Sequence, residues 1–272
     1  MTEGIVRHYS EDSRLAQVIA DSLAGAGKDI GRLTTADLAS VDEFHIGGRK
    51  ATLDVATALN LTPDARLLDL GSGLGGPART LAECFGCHVT GIDLTPAFCQ
   101  AATTLSHWVG LSGRVTFLQG DATDLPFADA SFDAAMTIHV AMNIAAKDRM
   151  YAEARRVLKP GGRFAVYDVL QGEGGEVLYP VPWARTPEIS HLATPDQMQA
   201  LLSDAGFRIV SVQDSTDASL QWFQAMAARL SGSTPAVTFQ TFLGNDFPAM
   251  ARNQVANLRD RRIRTVTYVC AA

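Results

Sequence analysis

The stretch that most constrains this chain is residues 66–77, "RLLDLGSGLGGP", where an apolar run ends in Asp69-Leu70 and opens directly into glycines. Gly71, Gly73 and Gly76 stand at G-x-G-x-x-G spacing. A short apolar run bounded by glycine reads as a buried strand. Glycines at its end let the backbone turn sharply and let a ligand approach the main chain. That arrangement suits the first strand of an open parallel sheet, whose following helix presents its N-terminus to the ligand. The spacing alone does not choose between a dinucleotide and another nucleoside cofactor.

The alternation continues downstream. "HVTGID" (88–93), "VTFLQGD" (115–121), "FDAAMTIH" (132–139) and "RFAVYDVL" (163–170) read as strands separated by helical patterns, as in parallel βαβ units. Met150, Tyr151, Ala154, Val157 and Leu158 share one helical face before Pro160-Gly161-Gly162 stops that helix. Thr194, Pro195 and Gln197 form a capping box with proline at the first helical position, Gly206 supplies a stop, and "RIVSVQD" (208–214) is a sixth strand. Leu220, Phe223, Ala227 and Leu230 recur at helical spacing. A Ser-Gly-Ser-Thr-Pro break at 231–235, a second helix ending in "RDRRIR" (259–264) and a last strand, "RTVTYVC" (264–270), complete the chain. The expected fold is α/β: a Rossmann-like, doubly wound, mostly parallel seven-stranded sheet with a helical N-terminal cap and a helical insertion before the last strand. Residues 1–50 are read as a cap or lid, with 171–193 and 217–261 as variable additions to the body at 51–272.

Charge and composition narrow the partners. Of 272 residues, 23 are basic and 29 acidic, for a net charge of −6 that disfavours phosphate backbones and hence nucleic acid. The start, "MTEGIVRHYSEDSRLAQVIA", carries acids where a signal peptide needs a basic segment, and no uncharged apolar run reaches membrane-span length. A cytoplasmic protein with no membrane partner is expected, with a homodimer as a possible assembly. Four cysteines are too few for a disulfide scaffold in a chain of this size. Cys84 and Cys87 form a C-x-x-C, but no second such pair or His pair completes a metal site, so they are read as packing where a helix ends and no metal is expected.

Chemistry around the glycines separates the cofactors. Asp93, at the end of the second strand, would bind ribose hydroxyls in either case. Asp69, just ahead of Gly71, suits an ammonium group and repels a pyrophosphate. Asp121 closes the third strand and can accept from an exocyclic adenine amine, with Ala122 packing nearby. A nicotinamide oxidoreductase is the alternative these residues argue against.

The ordered set "LLDLGSGLGG", "VTGIDL", "GDATDLPF", "SFDAAMTIHV" and "LKPGGRFAVYD" resembles the successive motifs of class I S-adenosylmethionine-dependent methyltransferases over about residues 65–170. The resemblance implies that S-adenosyl-L-methionine is the cofactor and that residues 51–272 are the methyltransferase domain. It places the loop of Gly71, Ser72 and Gly73 along the methionine moiety, Asp93 with Leu94 at the ribose, and Gly120, Asp121 and Ala122 at adenine. "DEFHIGGRKAT" and the segment after the fifth strand are similar to small-molecule enzymes, chiefly sarcosine/dimethylglycine N-methyltransferase-like proteins and, less closely, quinone and sterol C-methyltransferases. A small-molecule acceptor is therefore expected, with a nitrogen or oxygen nucleophile ahead of carbon. A member that binds the cofactor without transferring methyl is a further alternative.

Methyl transfer from a sulfonium needs chiefly a nucleophile held in line in a dry pocket. His139, at the end of the fourth strand, should face the cofactor's methyl region and could accept a proton there, giving a rate inflection near about pH 6 to 7. His45, beside Gly47, Gly48 and Arg49, is the second catalytic candidate. Asn143, Trp183 and Tyr9 are the candidate substrate contacts. If residues 1–50 act as a lid, deleting 1–45 should abolish turnover more than it weakens cofactor binding.

Overall fold

The strands are β1 (Arg66–Leu70), β2 (His88–Asp93), β3 (Val115–Gln119), β4 (Phe132–Ile138), β5 (Leu158–Gln171), β6 (Arg208–Asp214) and β7 (Ile263–Ala271). A computed structural model, which describes Gly4, His8 and residues 14–230 and 243–272, places them in one sheet ordered β3-β2-β1-β4-β5-β7-β6. β1 to β5 pair in parallel, and β7 runs antiparallel between β5 and β6. This is the mostly parallel seven-stranded α/β sheet expected from the sequence.

The helices are α1 (Leu15–Gly25), α2 (Thr35–Asp42), α3 (Gly48–Ala58), α4 (Gly76–Phe85), α5 (Pro96–Trp108), α6 (Lys147–Val157), α7 (Pro195–Asp204), α8 (Thr216–Leu230) and α9 (Phe247–Arg259). β1 shows why they pack on both faces. Leu68 and Leu70 enter a core with Met150, Tyr151 and Ala154 of α6 and Met198 and Leu202 of α7, while Leu67 enters another with Val55 of α3 and Ala78 and Leu81 of α4. Burial on both sides is what a central parallel strand requires, and it explains the unbroken apolar run. Thr194 and Gln197 form the expected reciprocal cap at the start of α7. Cys87 is buried and Cys84 exposed, both as free thiols at the end of α4.

Two local expectations need correction. β5 starts at Leu158 rather than Arg163, and Lys159-Pro160-Gly161-Gly162 forms a bulge within the strand because pairing with β4 steps from Phe132–Leu158 to Ala134–Arg163. Ala227, counted on the apolar face of α8, is exposed, and Trp222, Phe223 and Met226 form its inner side instead. The break at 231–235 lies outside the described residues. The "RDRRIR" arginines pair with neighbouring acids, Arg261 with Asp217 at 2.6 Å and Arg264 with Glu173 at 2.9 Å. None of the described helices is long and apolar enough to cross a membrane.

The N-terminal helices are fixed to the sheet by both apolar and polar contacts. Leu15, Ile19, Leu38 and Val41 cluster with Leu74, Phe98 and Leu105. Beneath them Arg79 of α4, fully buried, donates from Nη2 to Asp42 Oδ2 at 2.7 Å and from Nη1 to Ala102 O and Ser106 Oγ at 3.0 Å. Gly76 packs so closely here that a Cβ would lie 2.2 Å from the Asp42 carbonyl oxygen. Arg49 spans Thr35 Oγ1 at 2.8 Å and Glu83 Oε2 at 2.6 Å, and residue 50 falls inside α3.

Candidate active site

The turns that leave β1, β2, β3 and β4 converge at the carboxyl edge of the sheet, where open α/β folds bind ligands. They line a cavity of about 420 Å³ that also takes walls from the turn before α3, from the insert around Trp183, and from α8 and α9. Its lining includes Gly71, Ser72, Gly73, Asp93, Leu94, Gly120, Asp121, Ala122, His139, His45, Asn143 and Trp183. Tyr9 lies outside the described residues.

One half of the cavity is polar and acidic. Asp93 ends β2 with Oδ2 accepting from the Gly73 amide at 2.8 Å and Oδ1 from the Thr95 amide at 2.9 Å, so it holds the glycine loop while keeping lone pairs on both oxygens. Gly71 adopts φ +77°, and a Cβ there would meet Val140 Cγ2 at 2.3 Å, whereas the same position on Gly73 opens into free space. The loop amides themselves are paired, Gly71 and Ser72 with Ile92 O at 2.8 and 3.1 Å and Gly73 with Asp93, so the turn is held rigid while the glycines leave room for a ligand against the main chain. Ser72 Oγ is buried with no hydrogen-bond partner. Asp121 Oδ1 is held by the Thr123 amide and hydroxyl, each at 2.8 Å. Acceptors at the ends of β2 and β3 and the open space over the glycine loop fit a cationic, hydroxyl-bearing nucleoside such as S-adenosylmethionine.

Asp69 departs from its expected position. It lies beneath the loop, does not line the cavity, and leaves Oδ2 buried and unpartnered. Burial, with Asp93 and Glu43 adding repulsion, pushes its carboxyl up to about 8. At neutral pH the free protein therefore holds Asp69 largely protonated, which does not suit direct pairing with an ammonium group.

At the junction between the two halves, His45 and His139 meet with ring centroids 6.1 Å apart. His45 Nε2 faces the Gly48 carbonyl at 3.0 Å, and a carbonyl can only accept, so Nε2 carries the proton and Nδ1 the lone pair. Behind it lies Glu43, 3.8 Å from Nε2, its oxygens accepting from Thr52 and Thr80 hydroxyls at 2.7 Å. Burial lowers the His45 imidazole to about 4, against the opposing pull of the Gly48 hydrogen bond and Asp42. His139 sits at φ +55°, its amide donating to Tyr167 O at 2.8 Å. Its Nε2 is sealed without a partner, and burial, with His45 adding repulsion, drives it well below the ordinary imidazole range. Burial therefore favours the neutral form of both rings, which places the expected inflection below pH 6 to 7.

The other half is apolar. Phe44, Ile46, Met142 and Trp183 face Trp222, Phe223 and Met226 of α8 and Phe247 and Ala251 of α9. Trp183 is 1% exposed and spends its indole N–H on Ser190 Oγ at 2.9 Å. Asn143 donates from Nδ2 to Trp183 O and Ile189 O, both at 2.8 Å, so it ties down the insert. Sequence reasoning missed the contributions of α8 and α9. The apolar spacing in α8 was visible, but one sequence does not say whether an apolar face meets core or cavity.

Asp93→Ala should weaken S-adenosylmethionine binding by about 1–3 kcal/mol, because it removes charge-assisted acceptors and releases the Gly73 amide. Titration calorimetry reads this directly. Unchanged affinity in a folded protein would remove Asp93 from the ribose position.

Comparisons with known proteins agree with this geometry. Residues 68–166 match the family described as "Methyltransferase domain". The chain is 40% identical to sterol 24-C-methyltransferase ERG6B of Gibberella zeae over 116 residues, which cover 43% of this chain and 30% of that protein. The match thus spans under a third of that relative's length. It is 30% identical to O-methyltransferase rstn1 of Aspergillus nomiae over 181 residues, covering 65% of this chain and 80% of that protein. Geranyl diphosphate C-methyltransferase from Streptomyces coelicolor, solved with Mg²⁺, geranyl diphosphate and S-adenosyl-L-homocysteine, shares the fold at a TM-score of 0.70 and 18% identity, over 99% of this chain and 97% of that one.

Proposed function

Since the chain belongs to the class I S-adenosylmethionine-dependent methyltransferases, we propose that it methylates a neutral, apolar small molecule, with an alkene carbon as the acceptor. The observation that carries this reading is the division of the cavity: acidic groups line the cofactor side, and aromatic rings with neutral imidazoles line the acceptor side. The relatives named as sterol C-methyltransferases support carbon, so the earlier preference for nitrogen or oxygen gives way.

S-adenosylmethionine, when bound, supplies an electron-poor methyl group. The residues of this chain supply the rest. Trp183, Trp222, Phe223 and Phe44 hold the acceptor's apolar body and exclude water, which strengthens every electrostatic interaction inside. An alkene that gives its electron pair to the new carbon–carbon bond, while the methyl–sulfur pair stays with the departing thioether, would become positive at the neighbouring carbon. Aromatic faces stabilise such a cation. His45 Nδ1 then takes a proton from an adjacent carbon, which restores the double bond. The resulting imidazolium is steadied through Nε2–H by Gly48 O, Thr52 and the Glu43 carboxyl. His139 keeps its Nε2 covered and shapes the floor beside Tyr167, 4.8 Å away between centroids.

Oxygen methylation is the second reading, supported by the relative named as an O-methyltransferase. An acceptor panel run with ¹³C-methyl cofactor separates the two, because a methyl on carbon and a methyl on oxygen resonate far apart. Carbon-bound label on an uncharged alkene is the expected product. Ether or ester label alone would establish the second reading, and no label with any acceptor would remove both.

A further inference from the structure

Gln254 lies on α9 with only 6% of its surface exposed, and it lines the cavity beside Ala251 and opposite the cofactor-side loops. Its amide has no hydrogen-bond partner among the described residues. The two asparagines nearest it on the same helix behave differently. Asn253 donates to Pro180 O at 3.0 Å, and Asn257 exchanges both amide functions with Leu178, at 2.8 and 2.9 Å. Those amides fasten the insert to α9, whereas Gln254 is left to face the void.

The surroundings make that exception informative. The same cavity is lined by Phe223, Met226 and Phe247, which offer an amide no strong partner, and by Trp222, whose single indole N–H could serve only the amide oxygen. Gln254 is not among the sealed unpartnered groups, so its amide opens to the cavity, and a ligand that displaces water there leaves it unpaired unless it brings a matching group. Elsewhere on the acceptor half Asn143 and the Trp183 indole are committed to the insert, and His45 commits Nε2 to Gly48 and Thr52 and keeps only the Nδ1 lone pair. No lysine or arginine lines the cavity among the described residues, and Asp93 and Asp121 line it as carboxyl groups with no cationic partner.

We infer that Gln254 is a specificity-determining residue that hydrogen-bonds a hydroxyl or carbonyl oxygen on an otherwise apolar, uncharged acceptor. The inference rests on the apolar-acceptor reading above. It narrows that class: the acceptor carries one neutral oxygen function away from the methylated carbon, and neither a phosphate nor a diphosphate. An amide serves both a hydroxyl, which donates to Oε1, and a carbonyl, which accepts from Nε2. A phosphorylated acceptor would instead meet repulsion from the carboxylates.

The test titrates three probes into the full chain saturated with S-adenosylhomocysteine: geraniol, its hydrocarbon counterpart 2,6-dimethylocta-2,6-diene, and geranyl diphosphate. Replacing Gln254 by Leu should lower the geraniol-to-hydrocarbon affinity ratio about tenfold, the scale of one lost hydrogen bond with its partner left unpaired. S-adenosylhomocysteine affinity and the melting temperature of the free protein should not fall in that variant. Geranyl diphosphate should bind no tighter than geraniol. An unchanged ratio, a drop in melting temperature marking a structural amide, tighter diphosphate binding, or binding of none of the probes would each overturn the inference. Geraniol bound with this ratio change but never methylated would count against the transfer reading alone.

Discussion

The Arg79→Met protein is expected to be less stable than wild type by about 3–5 kcal/mol, the scale seen when one partner of a buried ion pair is removed. Arg79 is fully buried and Asp42 is 5% exposed, so the orphaned carboxyl cannot turn to water. Burial already holds Asp42 up at about 6, and Arg79 is the main influence pulling it down. Because the folded value lies above the unfolded one, the stability contributed by protonated Asp42 is present below about pH 4 and lost as pH rises through about 6. Without Arg79 that window extends upward, so the variant should suffer more at pH 8 than at pH 5. Urea unfolding at both values measures this, and a loss under about 1 kcal/mol at each would sink the assignment. The double variant Asp42→Leu/Arg79→Met should recover much of the loss, since an apolar pair leaves nothing unpaired. Deleting residues 1–45 would remove Asp42 and Glu43 together, and should therefore unfold α4 and its neighbours rather than simply open a lid.

The sheet and the cofactor side were legible because each rests on local signals. An apolar run such as Leu67-Leu68 can be buried on both faces only in the middle of a sheet, and the glycines of 71–76 suit a sharp turn that a ligand can approach closely. Asp93 and Asp121 followed from their places at strand ends. The role of Asp69 did not, because a carboxylate next to a glycine loop looks the same whether it points into the cavity or beneath it. Long-range pairing was equally hidden. Nothing near Arg79 announces Asp42, which lies 37 positions away in sequence, and nothing in α9 announces that Gln254 faces a void while Asn257 faces the insert. The same limit applied to the histidines. The sequence placed His139 correctly at the end of β4, but which ring nitrogens are reachable depends on Gly48 and Thr52 against His45 and on the packing that seals His139 Nε2.

His45→Asn should lower kcat by about 10² to 10⁴, the contribution of a positioned proton acceptor, while leaving S-adenosylmethionine affinity within about threefold. His45 Nε2 is held by Gly48, which leaves the lone pair on Nδ1, and that ring is the one backed by Thr52 and the Glu43 carboxyl to steady the imidazolium, whereas His139 Nε2 is sealed without a partner. The matched variant His139→Asn should cost less than about tenfold. Asparagine tolerates the positive φ at that position, so the loop should survive the change. The pH profile gives an independent readout. A base must be unprotonated to act, and His45 is lowered to about 4, so kcat should stay level from about pH 6 to 8 and decline only toward pH 4. The same depression stabilises the fold above the unfolded histidine value near about 6.5, a contribution lost as pH falls through about 4. Activity and stability should therefore fail together on the acid side in wild type. In His45→Asn the histidine share of that acid sensitivity should disappear. A His45→Asn protein with kcat within a few-fold of wild type, beside a His139→Asn protein that is nearly inactive, would move the proton acceptor to His139. Its Nδ1, which is not sealed, would then be the accepting nitrogen.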